Sequence, residues 1–260
     1  MTYQFEQRLL TIEGVGLSYG DKLILRDINL HVDNVTRPGI HQGQCIALLG
    51  PSGIGKTQLF RCIAGMQKQT VGKIKLGVEP RDVVTGEVGM VQQSYPLLAH
   101  RTVRGNLELV GCADVTKIDA MLTRFGLLDH ASKYPVQLSG GQRQRVAIIQ
   151  QMIGSRHFLL MDEPFSGLDI IAKAKVCELI NEVNLVDELN TTIFTTHDIE
   201  SAITIADTIW VMGREEGKPG ATIVKTFDLM SMDLAWQADI TKHPAFNPLH
   251  NQLRDLFKTL

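Results

Sequence analysis

Eight consecutive residues do most to limit how this chain can fold. Gly50-Pro51-Ser52-Gly53-Ile54-Gly55-Lys56-Thr57 fits the pattern GxxxxGK[ST]. It stands between the apolar run Cys45–Leu49, short enough for a strand buried on both faces, and a helical stretch from Lys56 to about Ala64. Glycines let the backbone turn tightly enough for successive N–H groups to face one anion, and the positive end of the following helix adds to that field. In this setting Lys56 would reach the β and γ phosphates of a nucleoside triphosphate, and Thr57 would give its hydroxyl to Mg2+.

The remaining pattern suits an α/β domain with a largely parallel sheet. Strands are expected at Leu9–Val15 and Leu23–Val32, joined by a turn at Tyr19-Gly20-Asp21, and again at Lys73–Leu76 and Glu87–Gln92. From about Tyr95 to Ile153 strand signals give way to helical spacing at Val103–Val110, Lys117–Phe125 and Gly141–Ile153, as in a helical lobe inserted into the core. Strands resume at Phe158–Met161, Thr192–Thr195, Thr208–Met212 and Ala221–Phe227, with helices near Ile170–Val186 and Asp198–Ala206. Residues 231–260 read as a separate helical tail behind a domain spanning 1–230, and Asp33–Gln42, with Pro38-Gly39, as a surface loop. A length of 260 residues accommodates one large domain or a core with an appended lobe.

Composition narrows the function classes. Twenty-six Lys and Arg against 28 Asp and Glu leave a net charge of -2, which supplies no basic field for nucleic acid. The longest apolar runs, Cys45–Leu49 and Phe158–Met161, fall far short of the roughly 18 residues needed to span a bilayer. Met1–Gln7 lacks the charged-then-apolar layout of a secretory signal. Cys45, Cys62, Cys112 and Cys177 are scattered without a CxxC pair, so buried free thiols in a reducing, cytosolic compartment are expected.

Two further motifs accompany the phosphate loop. Phe158-Leu-Leu-Met-Asp162-Glu163 is an apolar strand ending in two carboxylates. Alternation along a strand would send them to opposite faces, so that Asp162 can hold Mg2+ while Glu163 polarises the attacking water. Leu138-Ser139-Gly140-Gly141-Gln142 opens a helical run and forms a second anion-binding helix start, through amides and a hydroxyl.

That pentapeptide, continued as Arg143-Gln-Arg-Val-Ala, resembles the signature of the ABC (ATP-binding cassette) family, over about residues 8–230 and with the motifs in the family's order. The resemblance implies a cassette with a RecA-like core, an N-terminal antiparallel β subdomain and an inserted helical subdomain at about 95–153. It implies that Tyr19 stacks on adenine, that residues 50–58 and Ser139–Gln142 contact ATP, and that Gln93 senses Mg2+ beside Thr57 and Asp162. Ser166-Gly-Leu-Asp169 resembles the loop that communicates across a dimer, and Thr195-Thr-His197-Asp198 the switch histidine at the γ phosphate. Three departures stand out: Gln58 replaces a usual Ser or Thr, Ile149-Gln150-Gln151 replaces a small-Arg-small run, and Asp33–Gln42 is about eight residues longer than usual. That the longer loop binds a partner is a further expectation.

The same resemblance implies an ATPase that pairs with a second cassette, each ATP held between Lys56 of one copy and Ser139 and Gly141 of the other. Integral membrane permease subunits and a solute-binding protein would complete an importer, with this chain peripheral on the cytoplasmic face of the inner membrane. The segment Asp239–Leu253 is similar to cassettes for nitrate, taurine and alkanesulfonates. A soluble, non-transporting ABC ATPase of the cluster-assembly kind is the alternative.

Overall fold

Cys45, Ala47 and Leu49 point into one apolar cluster, and the interleaved Ile46 and Leu48 into another. The period-two geometry of an extended strand therefore divides the core into two layers about this segment. Neighbouring strands divide the same way: Leu159, Met161, Phe194, Ile209 and Val211 face the first cluster, Phe158, Leu160, Ile193, Trp210 and Met212 the second. The structure, a computed structural model, describes residues 3–36, 42–110, 114–154, 157–237 and 239–260.

The strands are β1 Gln4–Tyr19, β2 Lys22–Thr36, β3 Gln44–Leu49, β4 Val71–Leu76, β5 Arg81–Asp82, β6 Gly89–Val91, β7 Phe158–Met161, β8 Thr191–Thr196, β9 Thr208–Gly213 and β10 Thr222–Asp228. The helices are α1 Lys56–Ile63, α2 Val103–Glu108, α3 Val115–Arg124, α4 Gly140–Gly154, α5 Ile170–Asn184, α6 Ile199–Ile205 and α7 Phe246–Phe257. One sheet runs β10-β9-β3-β8-β7-β6 and is parallel except where β10 meets β9. The other, β2-β1-β4-β5, is antiparallel throughout. Its buried residues, among them Leu10, Ile12, Leu25 and Ile28, pack with Leu59, Phe60 and Ile63 of α1 over the second cluster.

The N-terminal hairpin is longer than the hydrophobic pattern predicts. Asp33–Thr36, expected within a loop, continue β2, because Gln4–Arg8 supply the partner edge (Arg8 opposite Asp33, Phe5 opposite Val35). Arg8 pairs with Asp33 at 2.8 Å, and Glu6 accepts from Asn34 and Thr36, so polar cross-strand contacts hold a stretch that lacks apolar alternation. Pro38-Gly39, the rest of the expected loop, lies outside the described residues.

The inserted segment contains α2, α3 and α4, with no strand among its described residues. The departure at 149–151 has a packing role. Ile149 is fully buried, Gln150 Nε2 donates to the Asn106 carbonyl at 2.8 Å, and Gln151 Oε1 accepts the Met90 amide at 3.1 Å. These amides tie α4 both to α2 and to the edge strand β6. Asn106, itself fully buried, binds Leu98, Arg101 and Thr102 through its side chain and so shapes the loop entering α2.

The final segment is not separate from the domain. Leu234, Ala235, Ile240, Phe246, Leu249 and Leu253 join the first cluster together with Ala202 and Ile203 of α6. Phe246, Leu249 and Leu253 recur at i, i+3 and i+7, the apolar stripe of an amphipathic helix, and this stripe docks α7 on the core. Among the described residues no helix is long and apolar enough to cross a membrane. Cys45, Cys62 and Cys177 are free thiols, and burial pushes Cys62 and Cys177 up to about 11. Cys112 lies outside the described residues. Replacing the fully buried Leu253 by Ala is expected to lower the unfolding free energy by about 2–5 kcal/mol in a denaturant titration. An unchanged midpoint would mean that α7 does not belong to the cooperative core.

Candidate nucleotide-binding site

The C-terminal ends of β3, β8 and β7 lie side by side, and each leads into a segment carrying one of the motifs. Gly50 begins the loop after β3. Its amide donates to the Thr196 carbonyl at 3.1 Å, and a Cβ here would come within 2.6 Å of the Met212 carbonyl oxygen, so only glycine lets the loop pass this close to β9. Pro51 is half-buried, Ser52 and Gly53 are exposed, and Ile54 is buried in the second cluster, which anchors the crest of the loop. Gly55 takes φ 120° as the N-cap of α1 and offers no side-chain cap. The first-turn amides of α1 are left for an acceptor other than a capping side chain, as a phosphate-binding helix start requires.

Lys56 is only 5% exposed, and its ammonium is fully engaged. Nζ donates to the carbonyls of Gly50 at 2.7 Å and Pro51 at 3.1 Å, and pairs with Glu163 Oε1 at 3.0 Å. Glu163 Oε2 lies 3.0 Å from His197 Nδ1. Beside this chain runs a second one: Thr57 donates its hydroxyl to Asp162 Oδ2 at 2.8 Å, and Thr195 donates to Asp162 Oδ1 at 2.8 Å. The Thr195 hydroxyl oxygen also accepts the Glu163 amide at 2.8 Å.

The two carboxylates do not diverge by strand alternation, as the sequence suggests. β7 ends at Met161, and Glu163 has φ 49°, in the left-handed region. This backbone turn, rather than the pleat, separates the two side chains, with Glu163 at Lys56 and His197 and Asp162 at Thr57 and Thr195. Thr195 was not singled out as a site residue by sequence reasoning. Its part follows from the register that sets Met161 opposite Phe194, a pairing between segments more than thirty residues apart that no local pattern encodes.

Other expected residues stand apart from this cluster. Gln93 is exposed in the turn after β6 and makes no hydrogen bond to Thr57 or Asp162. Tyr19 is 47% exposed, and its hydroxyl donates to Gln58 Oε1 at 2.9 Å, so the residue that departs from the usual hydroxyl is turned toward the aromatic. Ser139 and Gln142 cap α4 reciprocally: the Ser139 amide donates to Gln142 Oε1 at 2.9 Å and the Gln142 amide to Ser139 Oγ at 3.3 Å. Among the described residues no hydrogen bond or ion pair joins Ser139, Gly140, Gly141 or Gln142 to the phosphate loop. They line a cleft of about 600 Å3 with Tyr95 and Asp169. Asp169 caps α5 by accepting the Ala172 amide at 2.8 Å.

A link between α5 and the histidine segment was also missed. Lys173 pairs with Asp198, the residue after His197 and the N-cap of α6. Burial pushes the Asp198 carboxyl up, but hydrogen bonds from Lys173 and Ser201 outweigh it and hold the group below the usual carboxylate range. For a metal, the donors fit Mg2+ of a nucleotide complex. Thr57 and Asp162 present converging oxygens, and no group of three or more His, Cys, Asp or Glu suited to a metal forms among the described residues. A hard cation held by one carboxylate, one hydroxyl and phosphate oxygens is the Mg2+ pattern.

Comparison with known proteins identifies the family. Residues 34–166 match the family model described as ABC transporter. The chain is 36% identical over 220 residues to the sulfate/thiosulfate import ATP-binding protein CysA of Escherichia coli K12, a match covering 79% of this chain and 58% of that protein. It is 35% identical over 214 residues to the protein of the same name from Synechocystis, covering 78% of this chain and 58% of the relative. The chain thus spans about three-fifths of the length of these curated relatives. In fold it resembles CbiO1 of Clostridium perfringens, part of the ABC transporter complex CbiONQ, with a TM-score of 0.73, 23% identity and coverage of 96% of this chain and 100% of the other. With its phosphate loop, carboxylate pair and serine-capped helix on this fold, the chain belongs to the ABC transporter family.

Proposed function

We propose that this chain is the ATP-hydrolysing subunit of a membrane importer, acting as a pair of copies beneath separate membrane-spanning subunits. The observation that carries this reading is the convergence of Lys56, Thr57, Asp162, Glu163, Thr195 and His197 at three adjacent strand ends. An ATP β,γ-phosphate group entering the loop takes the place of carbonyl oxygens around the Lys56 ammonium and accepts from the first-turn amides of α1. Thr57 and Asp162 would hold Mg2+, which would neutralise charge on the β and γ phosphates.

Glu163 is the general base. Once phosphate draws Lys56 away, its carboxylate accepts the proton of the attacking water, while His197 steadies the other carboxylate oxygen and reaches the γ phosphate. Thr195 holds both acidic residues in register through one hydroxyl. Tyr19 supplies the face for adenine. Gln93, exposed in the turn after β6, would add an oxygen donor for the metal beside Thr57 and Asp162.

The second copy supplies Ser139, Gly140, Gly141 and Gln142 to complete the γ-phosphate shell. This is supported by the lack of bonds between those residues and the loop of their own chain. It is also supported by Ile170 and Ile171, which stand 87% and 71% exposed beside Asp169, where a facing copy would cover them. Closure around ATP and opening after hydrolysis form a ligand-biased two-state equilibrium that the membrane subunits convert into transport. The relatives' names favour a small oxyanion of the sulfate and thiosulfate kind as the solute. The nitrate, taurine or alkanesulfonate expectation drawn from the tail is not supported by them. A solute-binding protein delivers the solute, and the chain sits peripherally on the cytoplasmic face.

Glu163→Gln is expected to bind ATP but lose about 10²–10⁴-fold in turnover, and to accumulate an ATP-dependent dimer on size exclusion. Monomers with normal turnover would remove Glu163 from the mechanism. Lys56→Ala is expected to weaken ATP binding by about tenfold or more, read by titration with a fluorescent nucleotide, because charge-assisted hydrogen bonds are lost. Native pull-down from membranes is expected to recover integral membrane subunits; recovery of soluble partners alone would favour the non-transporting class.

A further inference from the structure

The amide that caps the Ser139 segment is itself held by a histidine that none of the motifs includes. Gln142 Oε1 accepts the Ser139 backbone N–H at 2.9 Å. A backbone N–H can only donate, so this contact fixes which end of the Gln142 amide faces which way, and Nε2 is left pointing elsewhere. It points to His130, with Gln142 Nε2 and His130 Nε2 2.8 Å apart. The Gln142 nitrogen carries two hydrogens and no lone pair to share, so it is the donor and His130 Nε2 must present its lone pair. The ring hydrogen therefore resides on Nδ1. That atom is buried and has no acceptor among the described residues, so nothing on its own side of the ring selects this tautomer. The selection comes from Gln142.

We propose that His130 is a positioning residue for the ATP-contacting segment Ser139–Gln142: its Nε2 lone pair holds the Gln142 amide in the orientation that caps Ser139. The connection is tertiary. His130 closes the short 3₁₀ turn Leu128–His130, whereas Gln142 lies in the first turn of α4. With the acceptor removed, the Gln142 side-chain amide is free to rotate and the Ser139 backbone amide loses its partner, which leaves the Ser139 turn, and the hydroxyl that would meet ATP across the dimer, held only by the longer 3.3 Å bond from the Gln142 backbone N–H. The proposal rests on the two-copy reading above for its consequence, though not for its geometry.

Two measurements test it. In 15N-histidine-labelled wild-type protein, NMR correlation of ring nitrogens with ring protons is expected to show His130 protonated on Nδ1 and bare on Nε2; an Nε2–H ring overturns the proposal. The second compares His130→Phe, which keeps a ring but has no acceptor, with His130→Gln, whose Oε1 falls near the position of Nε2, both in a Glu163→Gln background. His130→Phe is expected to weaken ATP-dependent dimerisation about tenfold while fluorescent-nucleotide binding to the monomer stays within twofold, and His130→Gln is expected to restore dimerisation. Equal behaviour of the two variants overturns the assignment. Parent protein that binds ATP yet never dimerises overturns the two-copy reading itself, and with it this consequence of the His130 contact, whereas the tautomer measurement still judges the contact.

Discussion

A lysine ammonium that is 5% exposed must replace its lost hydration, and the strand ends around the glycine loop are arranged around that requirement. Two carbonyls of the glycine loop and one carboxylate meet the need. The carbonyls can converge only because the loop is tightly curled, which Gly50 and Gly55 permit. The carboxylate can arrive only because Glu163 leaves β7 through a left-handed turn. Glu163 then brings His197 with it, and its backbone amide brings Thr195, which holds Asp162. Lys56 is thus the centre of a network in which loop carbonyls and an acidic residue share one cation.

This network sits on a sheet whose two faces are filled independently. Helices α4, α5, α6 and α7 pack on one face, α1 and the antiparallel sheet on the other. The strand ends are therefore fixed from both sides. Lys173–Asp198 adds a cross-tie between α5, capped by Asp169, and the segment of His197.

The helical lobe joins the first cluster through buried residues of α2, α3 and α4, and hydrogen bonds add to this packing. Gln150 and Gln151 place two side-chain amides against main-chain groups of α2 and β6. These are single hydrogen bonds, each worth about 0.5–1.5 kcal/mol, and the Ser139 cap depends on one more, from Gln142 to His130. The helical lobe is accordingly held by buried packing, through Leu107, Leu122, Phe125 and Ile149 among others, with these directional contacts setting its orientation.

Chain-local information was enough for the α/β class and for most of the order of the elements, while the separate antiparallel sheet followed only from the family resemblance. A buried strand, a glycine loop, a helix and later strands of alternating apolar residues can be read in sequence because each depends on neighbours two to four positions away. The identity of Lys56, Thr57, Asp162, Glu163 and His197 as a candidate set was equally legible, since the motifs are contiguous. Tertiary structure alone decided how they meet. The register of β7 against β8 made Thr195 the bridge, a positive φ turned Glu163, and Arg8 and Glu6 drew Asp33–Thr36 into a strand with no apolar signal. Docking of α7 on α6 likewise joined an apparent tail to the core. Each of these depends on a hydrogen bond, ion pair or contact between residues remote in sequence, and no pattern confined to one segment encodes which distant partner it will find.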